Sequence, residues 1–452
     1  MTDGRRVAIL GATGSIGAAT LDVIANLQKY APDAGWCVAS VSGHRRIDQL
    51  IESAQKASPV PQTIVVSDEQ NARCASDLIA KAELAERCRL DVGPEALVRA
   101  AISPDVDTVV AGIVGRAGLE STLEAVRAGK RVGLANKETL VIAGPVVTAA
   151  AEKSGSELLP IDSEHSAIYQ CLAEARENAA VKTPPSSLSG VSGQSSVSQQ
   201  PSVNSLPGIN SQPGFNGQCE FGSPGHKLPG VRRLILTASG GPFLNASFDE
   251  MEAATPAEAL NHPTWDMGQK ITIDSATMMN KSLEIIEAKW LFDVPADRIE
   301  VVVHPQSIIH SLVEFEDGSV IAQLSPPDMR LPIQYALTYP HRLPCPAPPL
   351  ERTQRWDMSL IPVDHERFPA LQLGFEVARV GGTAGVVLNG ANETAVPLFL
   401  SGKIRFTDIA RLCKQTLDDH HHESAPSLDR LLELDTWSRR RAAELAETIS
   451  VA

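Results

Sequence analysis

The chain has 452 residues, of which 43% are hydrophobic and 21% charged, and it carries a formal net charge of −14. That length exceeds a single ordinary hydrophobic core, so two or three domains are expected, and the composition is that of a globular protein. The acidic balance argues against nucleic acid or an anionic membrane as partner, so a phosphorylated ligand would have to be met by a local cluster of donors.

Seven cysteines are scattered and never spaced as C-x-x-C, which argues against a disulfide framework or a zinc cluster. No apolar run reaches membrane-spanning length and the N-terminus lacks a secretory pattern, so a cytoplasmic location is expected.

Taken in chain order, residues 1–161 alternate strand-like runs with helical patterns. The runs are Val7–Leu10, Trp36–Val41, Thr63–Val66, Thr108–Ile113, Val132–Ala135 and Leu158–Ile161, with helical spacing in Ala18–Leu27 and Leu119–Ala128. This order predicts a parallel sheet covered by helices on both faces, an α/β fold. The first strand runs into Gly11-Ala-Thr13-Gly14-Ser15-Ile16-Gly17 and then a helix. Glycines at such a turn let backbone N–H groups approach a pyrophosphate, and the helix N-terminus favours its charge. A ligand-free tight turn would read the same way. After the second strand, Gly43-His44-Arg45-Arg46 offers no carboxylate for a ribose 2′-hydroxyl and three potentially cationic side chains, which favours NADP(H) over NAD. A solvated basic loop is the plainer alternative.

Leu158–Ile161 leads into Asp162-Ser163-Glu164-His165. Read as extended chain, Asp162 and Glu164 point the same way, and two close anions call for a cation. All-oxygen ligation suits Mg²⁺ or Mn²⁺, while an ordinary acidic loop is the competing reading. Residues 183–228 form a Ser/Gly/Pro-rich stretch nearly free of charge, read as a disordered insertion. Beyond it, Ser239-Gly240-Gly241 is a candidate anion nest. In Asn261–Gly268, Trp265 is a candidate lid residue, or else a tryptophan packed permanently on the domain. Asp274, Ser275 and Thr277 are expected to cap a helix whose buried stripe is Leu283, Ile286 and Trp290. Asn280, Lys281 and Glu284 share one face of it, able to hold a phosphate and a third metal ligand, or to form a surface ion pair. A Pro-rich connector follows, then helices over Ala370–Val380, Ala391–Leu400 and Ser427–Ile449.

The stretches GATGSIG, LANKETLV, LPIDSEHSAIYQ, TASGGPF, HPTWDMGQKITIDSATMMNKSLEIIEA, HPQSIIHS and PPDMRLPI together resemble the 1-deoxy-D-xylulose-5-phosphate reductoisomerase family. The resemblance implies a Rossmann-like NADPH-binding domain (1–161), a central α+β catalytic and metal-binding domain (162–338), a linker (339–364) and a C-terminal helical domain (365–452), assembled as a homodimer. It implies NADPH and one Mg²⁺ or Mn²⁺ per active site, acting on a phosphorylated ketose to give 2-C-methyl-D-erythritol 4-phosphate. Carried over residue by residue, Asp162, Glu164 and Glu284 match the metal ligands. Thr13, Gly14, Ser15, Ile16, Gly43, His44, Arg45, Asn136, Glu138, Gly268 and Met329 match the cofactor contacts. Lys137 and Glu138 match residues at the substrate hydroxyls and are candidates for proton handling, with Glu164 and His262 also in the catalytic set. Ser163, Glu164, Ser239, His262, Trp265, Ser275, Asn280, Lys281 and Glu284 match substrate contacts. The insertion and the local Gly-His-Arg sequence are departures from the family pattern. Two other readings share the glycine loop: a different two-domain NADP dehydrogenase, and a non-enzymatic NADP sensor.

Overall fold

The computed structural model describes residues 5–173, 228, 230–265, 267–353 and 355–449. Apart from Leu228, the expected insertion 183–228 lies outside the described residues.

Strands β1 (Arg6–Leu10), β2 (Cys37–Gly43), β3 (Thr63–Val66), β4 (Arg89–Val92), β5 (Thr108–Ala111), β6 (Arg131–Leu134) and β7 (Leu158–Pro160) form one sheet in the order β4-β3-β2-β1-β5-β6-β7. All its pairings are parallel. Parallel strands need helical crossovers, and both faces of such a sheet are therefore covered. That is why β1 and β5 read as apolar runs with no alternation: Val7, Ala8, Ile9, Val109 and Val110 are fully buried. The strand absent from the sequence reading is β4, whose Arg-Leu-Asp-Val has no apolar run and sits at the sheet edge.

The order reverses between β1 and β5, so the crevice for a ligand lies beyond their carboxyl ends. There the chain leaves β1 through Gly11 at φ +89°, where an added Cβ would stand 2.7 Å from the Gly112 carbonyl oxygen. Only glycine fits so close an approach in this backbone region.

A second sheet has the order β11-β10-β8-β9-β12, built from β8 (Val231–Ala238), β9 (Ile299–Val303), β10 (Ile309–Phe315), β11 (Val320–Leu324) and β12 (Ile361–Pro362). Here the structure modifies the expected boundaries. β12 belongs to the segment read as a linker, yet it pairs with β9. The helix Arg330–Thr338, assigned to the central region, packs on the helix Ser15–Tyr30 of the first. Gln334 and Asn26 reach the same turn, donating to the carbonyls of Leu343 and Pro344 at 2.7 Å each. One apolar cluster runs from Val7 and Ile9 through Leu283 and Ile286 to Leu371 and Leu388, so the three regions share packed interfaces.

The central element is the helix Met279–Phe292, buried on nearly every side. The expected one-sided stripe is therefore too narrow a description. Leu283 and Ile286 are buried as expected, whereas Trp290 is only half-buried. The expected cap is also corrected. Asp274 and Ser275 lie inside a separate preceding helix, Gln269–Ala276, and the residue at the cap, Met278, has φ +63°. Of the three, Thr277 alone reaches the longer helix, its Oγ1 accepting from the Met279 N–H at 3.3 Å.

The C-terminal part has helices Pro369–Val380, Ala384–Leu400, Asp408–Asp418 and Leu428–Glu447. The sequence reading lacked Asp408–Asp418 and began the second too late. Pro369–Val380 crosses Met279–Phe292 closely enough that a Cβ at Gly374 would stand 2.6 Å from Ser282 Cα. Backbone cannot yield as a side-chain tip can. Gly374→Ala is therefore expected to destabilise the protein by about 1–3 kcal/mol, seen as a lowered urea midpoint at unchanged slope.

Candidate active site

Three segments converge on the N-terminal half of Met279–Phe292. The turn after β6 brings Asn136, Lys137 and Glu138. The end of β7 brings Asp162, Ser163 and Glu164. The central helix contributes Asn280, Lys281 and Glu284, and their carboxylate oxygens and amines interlock.

One carboxylate oxygen from each of Asp162, Glu164 and Glu284 lies within 4.8 Å of the other two, a set able to hold a metal ion. The route by which Asp162 and Glu164 meet differs from the expected extended alternation. The strand ends at Pro160. Asp162 then caps the helix Ser163–Cys171, its Oδ1 accepting from the Ser163 N–H at 3.1 Å, and Glu164 sits in that helix's first turn. A carboxylate at a helix N-terminus is itself favourable.

Two ammoniums lie among the three acids. Lys137 Nζ is 2.5 Å from Asp162 Oδ2 and 3.0 Å from Glu284 Oε1, and donates to Asn280 Oδ1 at 2.9 Å. Lys281 Nζ donates to Glu164 Oε1 at 2.8 Å and to Glu284 Oε2. Burial opposes the charge of both lysines, but the acids outweigh it and hold both ammoniums above their ordinary range. Burial likewise pushes the Glu164 carboxyl up, yet Lys281 and Lys137 overcome this and bring it down to about 2. For Glu284 burial and the neighbouring Glu164 prevail over the two lysines, raising it to about 7. Oxygen donors of this kind fit a hard divalent cation.

Beneath this cluster lies a pair that the sequence reading did not single out. Glu287, fully buried, has Oε2 3.2 Å from His165 Nδ1. Burial and the nearby Asp162 keep its carboxyl well above the ordinary range. His165 Nε2 donates to the Glu284 carbonyl oxygen at 2.9 Å, so the ring is the neutral tautomer protonated at Nε2. The available signal was the i,i+3 spacing of Glu284 and Glu287, which puts both acids on one side of a helix that also carries Leu283, Ile285 and Ile286.

The expected phosphate anchors divide. Ser239 and Ser275 meet around His262, whose Nε2 lies 3.0 and 3.1 Å from their hydroxyl oxygens. His262 Nδ1 accepts from the Thr264 and Trp265 N–H groups at 3.1 and 2.9 Å, so Nε2 carries the proton. Burial lowers this imidazole's proton affinity. The close approach is possible because Gly241, at φ +64°, passes the Ser275 carbonyl where a Cβ would stand 2.9 Å away. Asn280 and Lys281 instead turn to the carboxylates, Asn280 Nδ2 donating to Glu284 Oε1 at 2.5 Å. Ser163 Oγ donates to Glu164 Oε2 at 2.6 Å. Trp265 is half-buried and meets the His310 ring edge-on at 6.5 Å.

At the crevice of the first sheet, Gly14 caps the helix Ser15–Tyr30 with no side-chain acceptor and no acid in its first turn. Its leading N–H groups are thus suited to an anion. Thr13 and Ile16 belong to the same turn, and a Cβ at Gly43 would meet Thr13 Cγ2 at 3.3 Å. His44, Arg45 and Arg46 are exposed at the end of β2, with Arg45 3.9 Å from Asp68. Asn136 is buried and donates to the Gly115 carbonyl at 3.0 Å, while its Oδ1 has no partner among the described residues. Gly268 caps Gln269–Ala276, and Met329 caps Arg330–Thr338.

A doubly wound parallel sheet with an open glycine turn, whose last strand leads into a carboxylate cluster closed by the central helix, defines a dinucleotide-binding oxidoreductase of the α/β class. Family models for 1-deoxy-D-xylulose 5-phosphate reductoisomerase match residues 7–144, its C-terminal domain residues 218–292, and the DXP reductoisomerase C-terminal domain residues 324–441. A Rhodopirellula baltica protein named 1-deoxy-D-xylulose 5-phosphate reductoisomerase is 63% identical over 463 residues, covering 98% of this chain and 95% of its own. A DOX-P reductoisomerase crystal structure in complex with NADPH, fosmidomycin and magnesium superposes with a TM-score of 0.81 at 40% identity, covering 98% of each chain. The Zymomonas mobilis reductoisomerase in complex with NADPH gives 0.79 at 38% identity, covering 99% of this chain and all of that one. The chain belongs to the 1-deoxy-D-xylulose 5-phosphate reductoisomerase family.

His165 yields a test of the buried cluster. Burial brings its pKa from 6.5 down to about 4. The unfolded chain therefore binds a proton that the fold refuses between those values, so stability falls as pH drops from 6.5 towards 4. The loss is about 3 kcal/mol for this one group. In the metal-free protein, His165→Gln, which keeps a donor for the Glu284 carbonyl, is expected to remove that share of the acid sensitivity. Urea titrations of both proteins across this pH range would measure it, and parallel curves would refute it.

Proposed function

We propose that this chain converts 1-deoxy-D-xylulose 5-phosphate to 2-C-methyl-D-erythritol 4-phosphate with NADPH and a divalent ion of the magnesium class. The observation that carries the reading is the meeting of Asp162, Glu164 and Glu284 within 4.8 Å, next to the turn that bears Asn136, Lys137 and Glu138. Asp162, Glu164 and Glu284 would hold the metal. Thr13 to Ile16, Gly43 to Arg45, Asn136, Gly268 and Met329 would hold the cofactor. When bound, the metal supplies Lewis acidity at the substrate oxygens and NADPH supplies the hydride.

The chain's own residues do the rest. Lys137 and Lys281 offset the carboxylates' repulsion and present ammonium donors at the substrate hydroxyls and phosphate. Ser239 and Ser275, tied together by His262, offer a preformed pair of hydroxyls for phosphate oxygens, which fixes the far end of the substrate while its carbon skeleton rearranges. Trp265 lies on the loop anchored by the His262 ring and would exclude water as that loop closes. Glu138, at the first turn of the helix Glu138–Ser154, is the candidate to exchange a proton with a substrate hydroxyl.

Among the described residues no helix is long and apolar enough to cross a membrane. Cytoplasmic residence and a homodimer complete the proposal. The dimer is supported by exposed apolar side chains at Val320 and Ile321 on the open edge strand and at Trp356, Met358 and Leu360. Light scattering at twice the chain's mass is expected, and a monomer at working concentration would remove that part.

Following NADPH absorbance with the deoxy-ketose phosphate, with Mg²⁺ or with EDTA, tests the activity. Consumption only with metal is expected; metal-independent consumption would favour a different NADP dehydrogenase. Glu284→Gln is expected to cut kcat by about 10²–10³, the scale for removing one preorganised electrostatic group. NADPH affinity, read by fluorescence quenching, should stay within about threefold, since Glu284 lies outside the glycine turn. Matching losses of both would place Glu284 wrongly.

A further inference from the structure

The helix Gln269–Ala276 follows directly on the Trp265 loop, and it is pinned on three sides. Ser275 Oγ lies 3.1 Å from His262 Nε2. Asp274, only 1% exposed, accepts through Oδ1 from Asn392 Nδ2 at 2.8 Å, on the C-terminal helix Ala384–Leu400. Its Oδ2 lies 2.6 Å from Lys270 Nζ. That same ammonium reaches Glu138 Oε1 at 3.4 Å, across 132 residues of sequence.

An i,i+4 pair such as Lys270–Asp274 is usually a modest helix contact. Two features set this one apart. Asp274 is buried and already bound on its other oxygen, so its charge is fixed in place. Glu138, whose side chain is 10% exposed, has Lys270 as the cation within 4 Å among the described residues. Lys270 itself, 32% exposed, stands where the two carboxylates approach. Burial opposes its charge, but Asp274 and Glu138 outweigh this and hold the ammonium above its ordinary range. The path Asn392–Asp274–Lys270–Glu138 thus runs from the helical domain, through the helix that carries the lid loop, to the turn after β6.

We propose that Lys270 is a positioning residue, which sets the Glu138 carboxylate for the reaction and ties that setting to the helix bearing the Trp265 loop. The inference rests on Glu138 taking part in that reaction. Lys270 touches no substrate in this scheme and acts only through Glu138, with Asp274 and Asn392 holding it from behind.

A double-mutant cycle on the full-length protein, assayed with Mg²⁺ and NADPH, separates this from a purely structural ion pair. Lys270→Met is expected to lower kcat by about 10–100-fold, the range for an outer residue that orients a working one. Lys270→Arg, which keeps the cation, should recover most of it. Adding Lys270→Met to Glu138→Gln should cost less than about twofold more, because the group through which Lys270 acts is already gone. Multiplying losses would overturn the proposal, as would full activity of Glu138→Gln; the latter would also show that Glu138 has no part in the reaction. Lys270→Met strands the buried Asp274, so Lys270→Met/Asp274→Asn, which keeps an acceptor for Asn392, serves as the second variant. In its crystal structure the Glu138 carboxylate is expected to leave the position seen beside Lys270. A carboxylate unmoved there would overturn the proposal even if the wild-type protein failed to turn over this ketose phosphate, an outcome that would count against the activity alone.

Discussion

The structure depends on keeping acidic and basic side chains inside the protein close to one another. The helix Met279–Phe292 passes through the packed interior, yet it carries Lys281, Glu284 and Glu287, all buried. An isolated ion there would cost several kcal/mol, and ions are kept only where partners and hydrogen bonds surround them. Lys137 is the partner of Glu284 and Glu164 that of Lys281, and both come from the carboxyl end of a strand in the first sheet, while Glu287 faces His165. The requirement to compensate these charges thus draws the two sheets together at the place where the dinucleotide crevice opens.

The same constraint orders the chemistry. Two ammoniums lie among the oxygens of Asp162, Glu164 and Glu284, a set that a doubly charged cation with oxygen ligands can enter. Below it, burial disfavours charge on both His165 and Glu287, lowering the imidazole and raising the carboxyl. His165 also fixes the backbone of Glu284 by donating to its carbonyl. Such outer contacts decide how rigidly the carboxylate oxygens are held. The C-terminal helices contribute in the same manner, since Asn392 fixes Asp274 and Gly374 permits close contact with Ser282. Their sequence carries no reactive side chain at the centre, and their effect is exerted through backbone and carboxylate placement.

Strands of the first sheet were legible because burial on both faces makes them continuous apolar runs. Thr63–Val66 and the start of Thr108–Ala111 coincide with the expected limits. Arg89–Val92 was not legible, because an edge strand need not be apolar. Asp408–Asp418 is legible as a helix, since its polar and apolar residues recur at helical spacing. The cap expected from Asp274, Ser275 and Thr277 failed because local preference for a helix start was overridden: those residues continue a helix that ends at Ala276, and the longer one begins only after Met278 in the left-handed region. Local pattern cannot tell one long helix with a polar start from two helices meeting at a bend.

What the sequence by itself determined was the chemistry available and its local setting: a glycine turn after a strand, basic residues where an acid would mark NAD, two acids at a strand end, and a run of family motifs that names the reaction class. These are short-range features, readable because backbone geometry relates residues a few positions apart. Which distant groups share an atom was decided only by the tertiary structure. It placed Lys137 between Asp162 and Glu284, turned Lys281 towards Glu164, set Glu287 under His165, and led Lys270 to Glu138. Electrostatic pairing acts through space over a few ångströms, and no spacing along the chain records it.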